Sequence, residues 1–406
     1  MGAMPSTSLS AVGGLLRARG DVFRDEVHRL FYLDVLEARQ VFPIQLHETH
    51  VDLAASLAWV LERTPLDGVV PERILRRVRQ LGLDHRRHGF PAEVYPAFLR
   101  ALRHGLREVA GGERTRTDPG IDAAENAFAQ VCAVMAEAAR EADTVGIPHA
   151  YAAEVLSVER RSRRISVVRL ESGMPLDYAP GQHLPVTTSY LPGIWRMLSP
   201  ALPPNEHGQL EFHIKSHDGG KASPLLSTPR PGDYWTFGNP QGSLQITGER
   251  DVVMIAHGTG LAPLRSILFA LFGEEDRPRV HLFIGAEYPG ELYDLRGLMN
   301  LAATTAWLTV TPVVEHVEDA WWVGATDFSH AHGSASPQVA GNIATVVTAL
   351  GDWADHDVLI TGPAEKVSRT VTGLITGGIP RRNIQAEPWE IREQWPEIGT
   401  RWRDTR

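Results

Sequence analysis

The feature that most constrains the fold is a glycine turn between an apolar strand and an amphipathic helix. Val252–Ala256 is an uninterrupted apolar run, and it leads into His257-Gly258-Thr259-Gly260-Leu261-Ala262-Pro263. A strand, a glycine turn and a helix in this order bring backbone N–H groups at a helix N-terminus against a pyrophosphate. The turn therefore predicts a dinucleotide site, although such a turn taken alone is often purely structural.

The same pattern continues toward the end of the chain. Further apolar runs lie at Val280–Gly285, Leu308–Val314 and Val358–Thr361, and helical patterns separate them. Strands without polar alternation, spaced by helices, are typical of a parallel sheet covered on both faces. Ligands bind such sheets at the carboxyl ends of the strands, which is where Gly258 falls. We therefore predict an α/β, doubly wound dinucleotide-binding domain over residues 249–406.

Two different patterns precede this region. Between about residues 10 and 145, apolar residues recur near the helical spacing of 3.6 and are interrupted by prolines such as Pro43 and Pro91. From about residue 150 the chain changes to short alternating strands, such as Ile165–Leu170 and Leu210–Lys215, with Pro-Gly and Gly-Gly turns between them. This is typical of a small antiparallel β-barrel. We predict an all-α domain over residues 1–148 and a β-barrel over residues 149–248.

Composition excludes several classes of protein. A chain of 406 residues needs more than one core, and a net charge of −9 argues against a nucleic-acid-binding role. No segment approaches the roughly 18 consecutive apolar residues of a membrane span, and no signal peptide is recognisable. The single cysteine, Cys132, excludes internal disulfides. We expect a cytoplasmic protein with small-molecule partners; no heptad run indicates its oligomeric state.

Four motifs follow one another in a fixed order in the second and third regions. They are Arg196-Met197-Leu198-Ser199, Gly219-Gly220-Lys221-Ala222-Ser223, the glycine turn and Thr361-Gly362-Pro363. This order resembles the ferredoxin–NADP reductase superfamily. The resemblance implies an FAD-binding barrel followed by an NAD-binding sheet.

The resemblance also implies which residues hold the two cofactors. FAD is expected on Arg196, Met197, Leu198 and Ser199, with the arginine on its phosphates and the serine on the isoalloxazine. A helix opened by Gly220, Lys221, Ala222 and Ser223 is expected to face the FAD pyrophosphate. The nicotinamide dinucleotide is expected on Gly258, Thr259, Gly260, Pro263, Gly362 and Pro363.

The C-terminal segment Ala386-Glu387-Pro388-Trp389 resembles the family segment whose aromatic residue covers the flavin. Trp389, with Glu387 beside it, is therefore expected to gate the flavin face that the nicotinamide must reach; the alternative is a surface tryptophan at the sheet edge. Leu198 replaces a tyrosine that usually stacks on the flavin, and Thr361 replaces a frequent cysteine. The acid Glu287 follows the second strand without a neighbouring arginine, which predicts NADH rather than NADPH.

The helical region resembles the globin domain of flavohaemoglobins. The similarity lies in Asp84-His85-Arg86-Arg87-His88-Gly89-Phe90-Pro91-Ala92-Glu93-Val94-Tyr95, where a histidine precedes a Pro-x-x-Tyr helix start. The resemblance implies that His85 ligates the iron of haem b and that Tyr95 adjusts the proximal side. His88 is the rival ligand.

On the other face of the expected haem the sequence departs from the family. His28 takes the position of the distal tyrosine, Phe31 and Phe42 are expected to contact haem, and the distal glutamine position falls among Thr49, His50 and Leu53. The proximal carboxylate aligns with Ala139, between Glu137 and Glu141.

The family resemblance implies an electron path from NADH through FAD to haem, which reacts with dioxygen. Nitric oxide dioxygenation, giving nitrate, is the implied activity. Two alternatives stay open at this point. In the first, the chain is an atypical flavohaemoglobin acting on another organic or biosynthetic substrate; in the second, it is a reductase fused to a haem- or gas-sensing or haem-free helical module.

Overall fold

A computed structural model describes residues 8–38, 53–111, 118–192, 194–242, 244–324 and 339–389. The chain divides into two compact units, a helical unit that ends at Ala150 and a β-rich unit that begins at Tyr151. Within the described residues, no helix is long and apolar enough to cross a membrane.

The helical unit contains α1 (Leu9–Ala18), α2 (Gly20–Asp34), α3 (Leu53–Glu62), α4 (Glu72–His85), α5 (Tyr95–Ala110) and α6 (Pro119–Thr144). The side chains of Ser8 and Asp118 cap the starts of α1 and α6 by accepting backbone N–H groups. Helix α1 packs on α3, α2 on α5, and α4 on α6. The predicted all-helical character of this region is confirmed for the described residues.

A glycine allows α4 and α6 to pack unusually closely. A Cβ atom at Gly82 would lie 2.6 Å from the Met135 carbonyl oxygen, so only glycine fits at this crossing. One turn further on, Arg86 donates to the Asp143 carboxylate at 2.5 Å and to the Ile147 carbonyl at 2.6 Å. The C-terminal end of α4, which carries His85, is thereby fixed against α6.

The first half of the β-rich unit is an antiparallel sheet of six strands. They are β1 (Tyr151–Arg160), β2 (Ile165–Ser172), β3 (Leu184–Thr188), β4 (Arg196–Leu198), β5 (Gln209–Lys215) and β6 (Tyr234–Phe237), in the order β4-β3-β6-β1-β2-β5. A bridge between Pro200 and Phe212 brings the two edge strands together. The predicted barrel is therefore confirmed as a nearly closed one, filled by side chains such as Val168, Phe212 and Trp235.

The second half is a parallel sheet with helices beside its strands. Its strands are β7 (Val252–His257), β8 (Val280–Ala286), β9 (Leu308–Val314), β10 (Val339–Ala340), β11 (Asp357–Pro363) and β12 (Ile384–Trp389), in the order β10-β9-β8-β7-β11-β12. Its helices are α8 (Leu261–Ala270), α9 (Leu295–Ala303), α10 (Ile343–Leu350) and α11 (Ala364–Thr376). A one-turn helix, α7 (Ser223–Leu226), belongs to the barrel half.

Strand β7 shows why its sequence lacks polar alternation. Val252, Met254 and Ala256 pack into one apolar core, and Val253 and Ile255 pack into another. Because successive side chains of a strand point to opposite faces, both faces of this strand must be covered. This arrangement confirms the predicted doubly wound sheet.

Candidate functional site

The glycine turn lies where the sequence predicts it, at the carboxyl end of β7. Strand β7 ends at His257, residues Gly258–Gly260 form one 3-10 turn, and α8 starts at Leu261. Gly258 has a φ of 57°, in the left-handed region that favours glycine. The chain thus passes directly from a buried strand into a helix N-terminus at the sheet edge where ligands bind.

The loop after β11 packs directly against this turn. The Thr361 hydroxyl donates to the Gly260 carbonyl oxygen at 2.6 Å, and a Cβ atom at Gly260 would lie 2.5 Å from the Thr361 carbonyl oxygen. Gly362 has a φ of 141° and would place a Cβ atom 2.6 Å from that of His257. The structure therefore brings together the two glycine-containing loops predicted to cradle the nicotinamide dinucleotide.

A buried histidine that sequence analysis missed stands behind these loops. The Nε2 atom of His257 lies 2.9 Å from the Thr370 hydroxyl. Burial, with the nearby positive charge of Lys366, lowers the pKa of His257 to about 4. The imidazole is therefore neutral at pH 7 and adds no charge behind the turn. Its position at the end of an apolar strand was the one available signal.

The C-terminal strand brings Glu387 and Trp389 to the same edge. Strand β12 runs parallel to β11, so that Glu387 pairs with Thr361 and Trp389 with Pro363. The Glu387 carboxylate lies 3.1 Å from Nδ1 of His183, which immediately precedes β3 of the barrel. His183 is a second residue that sequence analysis missed, because an isolated loop histidine carries no pattern. Trp389 is half-buried, which leaves part of its ring accessible.

The predicted flavin strand is β4, and two of its side chains are exposed. Arg196 pairs with Val186 and Leu198 with Leu184. The Arg196 guanidinium donates to the Trp195 carbonyl oxygen at 2.8 Å and is otherwise open to solvent. Met197 is 41% exposed and Leu225, beyond the Gly-Gly motif, is 45% exposed. An open cation on this strand fits the phosphates of FAD.

The Gly-Gly motif forms a tight loop and a single helical turn. Gly219 has a φ of 77°, and the Ser223 hydroxyl accepts the His217 N–H at 3.1 Å. Lys221 is exposed and Ala222 is buried in the barrel core. The helix expected here extends only over Ser223–Leu226, so it supplies one turn of N–H groups rather than a long helix dipole.

An arginine lies close in space to the segment after β8, although that segment itself contains none. Glu287 lies 3.7 Å from the Arg164 guanidinium, and Arg164 also pairs with Glu291 at 2.6 Å. The expectation of an acid without a neighbouring arginine is thus wrong in three dimensions, because a barrel residue 123 positions earlier reaches it. Two carboxylates already neutralise this arginine. The preference for NADH stays a prediction.

In the helical unit, one ring nitrogen of His85 is hydrogen-bonded to the backbone of its own helix. Its Nδ1 atom lies 2.7 Å from the Leu81 carbonyl oxygen, one helical turn earlier. A carbonyl can only accept, so Nδ1 carries the proton and Nε2 keeps its lone pair. Burial lowers the pKa of His85, which favours this neutral form.

The expected partners of His85 on its proximal side do not reach it. Tyr95 is buried and meets Phe90 edge-on with ring centroids 5.0 Å apart, but its hydroxyl bonds to none of the described residues. Ala139 is buried, Glu137 is exposed, and Glu141 forms an ion pair with Arg79. The acceptor for His85 is therefore a neutral backbone carbonyl, and among the described residues no carboxylate replaces it.

The remaining predicted haem contacts share one aromatic cluster. His28 is buried in α2, stacks on Tyr32 with ring centroids 5.4 Å apart, and has its pKa lowered to about 4, mainly by burial. Phe31 stacks on Phe90 at 5.6 Å, and Phe90 meets His85 edge-on at 6.1 Å.

The rival proximal histidine and the other predicted haem neighbours lie in different parts of the helical unit. The rival ligand His88 lies in the turn after α4, where burial lowers its pKa to about 3. Leu53 opens α3, while Phe42, Thr49 and His50 lie outside the described residues. No group of three or more His, Cys, Asp or Glu side chains that could hold a metal ion occurs in the described ranges.

Comparison with known proteins agrees with this geometry. Residues 153–246 match the oxidoreductase FAD-binding domain family, and residues 254–365 match the oxidoreductase NAD-binding domain family. The ferredoxin–NAD(P)+ reductase of Metapseudomonas resinovorans is 29% identical over 57% of this chain and 67% of its own length. The reductase component of phenol 2-monooxygenase from Pseudomonas sp. strain CF600 is 25% identical over 63% of this chain and 70% of its own.

One solved structure extends the likeness beyond these two domains. The flavohaemoglobin from Malassezia yamatoensis, determined with bound FAD and haem, has a TM-score of 0.64 at 18% identity and covers 95% of this chain and 99% of its own. At this identity the likeness concerns the fold alone. The β-rich unit is a ferredoxin reductase-like module, and the chain is an oxidoreductase with FAD-binding and NAD-binding domains.

Proposed function

We propose that this protein passes electrons from NADH through FAD to a haem b held by His85, and that the haem reacts with dioxygen and nitric oxide to give nitrate. The observation that carries the haem assignment is the bond between Nδ1 of His85 and the Leu81 carbonyl, which leaves the Nε2 lone pair for iron. A metal-ligating histidine characteristically has its other ring nitrogen bonded in this way.

The flavin assignment rests on residues of the barrel. When bound, FAD supplies the conversion between a two-electron hydride donor and a one-electron acceptor. Arg196 would pair with its phosphates, while Met197, Leu198 and Ser199 would line its ring. Glu387 and Trp389 would lie at the boundary between the flavin and the loops of Gly260 and Gly362, where Trp389 would control access of the nicotinamide.

The haem assignment includes two departures from the family pattern. When bound, haem supplies an iron centre for dioxygen and for nitric oxide. His28 would stand on the distal side as a neutral imidazole, because burial lowers its pKa to about 4. On the proximal side the neutral Leu81 carbonyl would make His85 a weaker electron donor to iron than a carboxylate partner would.

An absorption spectrum before and after anaerobic addition of NADH tests the electron path. We expect a Soret band and flavin bands in the purified protein, followed by bleaching of the flavin and reduction of the haem. Nitric oxide should then be consumed rapidly once oxygen is admitted. Haem and flavin that are both reduced without nitric oxide consumption would indicate another substrate, and a missing Soret band in protein made with ample haem would refute the haem assignment.

A second candidate function is electron delivery to a separate acceptor protein. It is favoured by the relative from Pseudomonas sp. strain CF600, which is the reductase component of a monooxygenase. In this case NADH would reduce the flavin, and the flavin would reduce an added ferredoxin faster than any haem in the helical unit. Comparing these two rates in one anaerobic mixture separates the two candidates.

A further inference from the structure

The barrel closes at a short seam next to the flavin strand. Three residues after β4, the Ala201 N–H donates to the Glu211 carbonyl oxygen at 2.7 Å, and Pro200 bridges to Phe212. We call these paired residues, Pro200–Leu202 and Glu211–Phe212, the closing seam. Apart from this seam, β4 pairs only with β3 in the sheet order, so the seam decides how firmly β4 is held.

Helix α8, which follows the glycine turn, bonds to this seam at two adjacent residues. Arg265 donates to the Ala201 carbonyl oxygen at 3.0 Å and to the Glu211 carboxylate at 2.8 Å. The hydroxyl of Ser266, which is fully buried, donates to the Leu202 carbonyl oxygen at 2.8 Å. The helix of the nicotinamide turn is therefore bonded directly to the chain that leaves the flavin strand.

Polar contacts on two sides surround the Arg265 guanidinium. The other side of its guanidinium pairs with Asp294 at 3.0 Å. Glu211 contacts Nε2 of His213 at 3.1 Å, and Nδ1 of His213 lies 2.7 Å from the hydroxyl of Tyr293, the neighbour of Asp294. Strand β5, helix α8 and the segment before α9 are thus joined by directional bonds.

The carboxylate of Glu211 stays charged down to low pH. Burial raises the pKa of Glu211, but His213, Arg265 and Arg169 outweigh it and bring the pKa to about 2. Buried ion pairs of this kind add little net stability, because desolvation offsets their attraction. Their directional bonds do fix geometry, and here the geometry that they fix is that between the two cofactor motifs.

We propose that Arg265 and Ser266 are positioning residues that hold the flavin strand at a fixed distance from the glycine turn, and so set the separation between flavin and nicotinamide. Only two residues separate Ser199 of the flavin motif from Leu202, and four separate Gly260 from Arg265. Bound reactants lose rate steeply with small misplacements, by roughly a hundredfold for about 1 Å.

The test uses the full-length, FAD-loaded protein and three variants. Arg265→Met removes the seam bonds and the charge, while Ser266→Ala removes one seam bond and leaves every charge in place. Arg169→Met is the matched control, because Arg169 donates to the same Glu211 carboxylate at 2.8 Å from β2 and makes no bond to α8. We measure the anaerobic rate of flavin reduction at saturating NADH and the hydrogen exchange of the seam amides.

We expect flavin reduction to slow about tenfold to a hundredfold in Arg265→Met and about threefold to tenfold in Ser266→Ala. FAD content should be unchanged in both, the Ala201 amide should exchange faster, and Arg169→Met should match the parent. If Arg265→Met fails to fold, Ser266→Ala still decides the outcome. The proposal is overturned if Ser266→Ala reduces flavin at the parent rate, or if Arg169→Met slows it as much as Arg265→Met does.

Discussion

Gly260 is a position where the neighbouring backbone leaves room for glycine alone. Its Cα faces the Thr361 backbone so closely that a Cβ atom would sit 2.5 Å from the carbonyl oxygen. Gly260→Ala must therefore push the two cofactor loops apart, and we expect a loss of about 1–3 kcal/mol in stability and at least about tenfold weaker NAD+ binding. Calorimetric titration and thermal unfolding measure the two effects.

Gly273→Ala is the control for this prediction. A Cβ atom at Gly273 would meet nothing within 4 Å, so this variant should bind NAD+ like the parent. Equal affinity in Gly260→Ala and Gly273→Ala would contradict the close packing of the two loops.

Substitutions of His85 and His88 distinguish the proposed haem ligand from its rival. Because the Leu81 carbonyl fixes Nδ1 of His85, the proposed ligation of iron by Nε2 predicts that His85→Gly loses the Soret band and that added imidazole restores it. His88→Ala should keep the band. The spectrum of each purified variant measures this directly, and the assignment fails if His88→Ala loses haem while His85→Gly retains it.

His257 makes stability depend on pH in a defined window. Burial lowers its pKa from 6.5 to about 4, so the unfolded chain takes up the proton first as pH falls. The contribution of neutral His257 to the free energy of unfolding is complete above pH 6.5. It is lost on acidification toward pH 4, by up to about 1.4 kcal/mol per pH unit. His257→Gln should flatten this slope in urea unfolding followed by flavin fluorescence. His207→Gln, at an exposed histidine, is the control substitution.

Strand β4 carries one exposed cation, Arg196, where the FAD phosphates are expected. The Arg196 guanidinium is exposed and bonds only to its neighbour's carbonyl among described residues. Arg196→Met should weaken FAD binding by about 10- to 150-fold, the equivalent of a charge-assisted hydrogen bond of roughly 1.5–3 kcal/mol. FAD retention during gel filtration measures this. Arg230→Met, an exposed arginine on the same barrel, should retain FAD fully.

Elements were predictable where their signals are local. The run Val252–Ala256, the glycines after it and the helix behind them all lie within twenty residues, and the structure has each in place. The seam bonds were not predictable, because Arg265 and Glu211 are 54 positions apart and neither carries a motif. The pairing of Arg164 with Glu287 was not predicted, for the same reason. Only topology decides which distant polar side chains meet.

In the helical unit, the sequence motif predicts neighbouring residues but not the hydrogen bonds that they form. The Pro-x-x-Tyr that follows His85 made this residue a candidate ligand, but its hydrogen-bond acceptor could not be predicted, because a backbone carbonyl leaves no trace in side-chain identity. Tyr95 likewise stands where the motif puts it, yet its hydroxyl does not bond to His85. Motifs predict which residues lie together, and packing decides which bonds they form.

The proposed electron path predicts that nitric oxide consumption can be abolished while reduction of the flavin by NADH continues. In His85→Gly, NADH should still reduce the flavin within about twofold of the parent rate, because every seam and cofactor-loop contact is intact. Nitric oxide consumption should fall to the background given by free flavin. Rapid-mixing spectroscopy and a nitric oxide electrode measure the two rates, and full nitric oxide consumption in this variant would exclude haem as its site.

The closing seam also limits how this protein can be recombined with its relatives. A cut at the apparent boundary near residue 250 would separate Arg265 and Ser266 from the carbonyls of Ala201 and Leu202. A chimaera that imports a foreign coenzyme half would then leave Glu211 buried beside a mismatched helix. Exchange of coenzyme specificity between such reductases therefore has to carry the segment from Pro200 to His213 together with the helix that bonds to it.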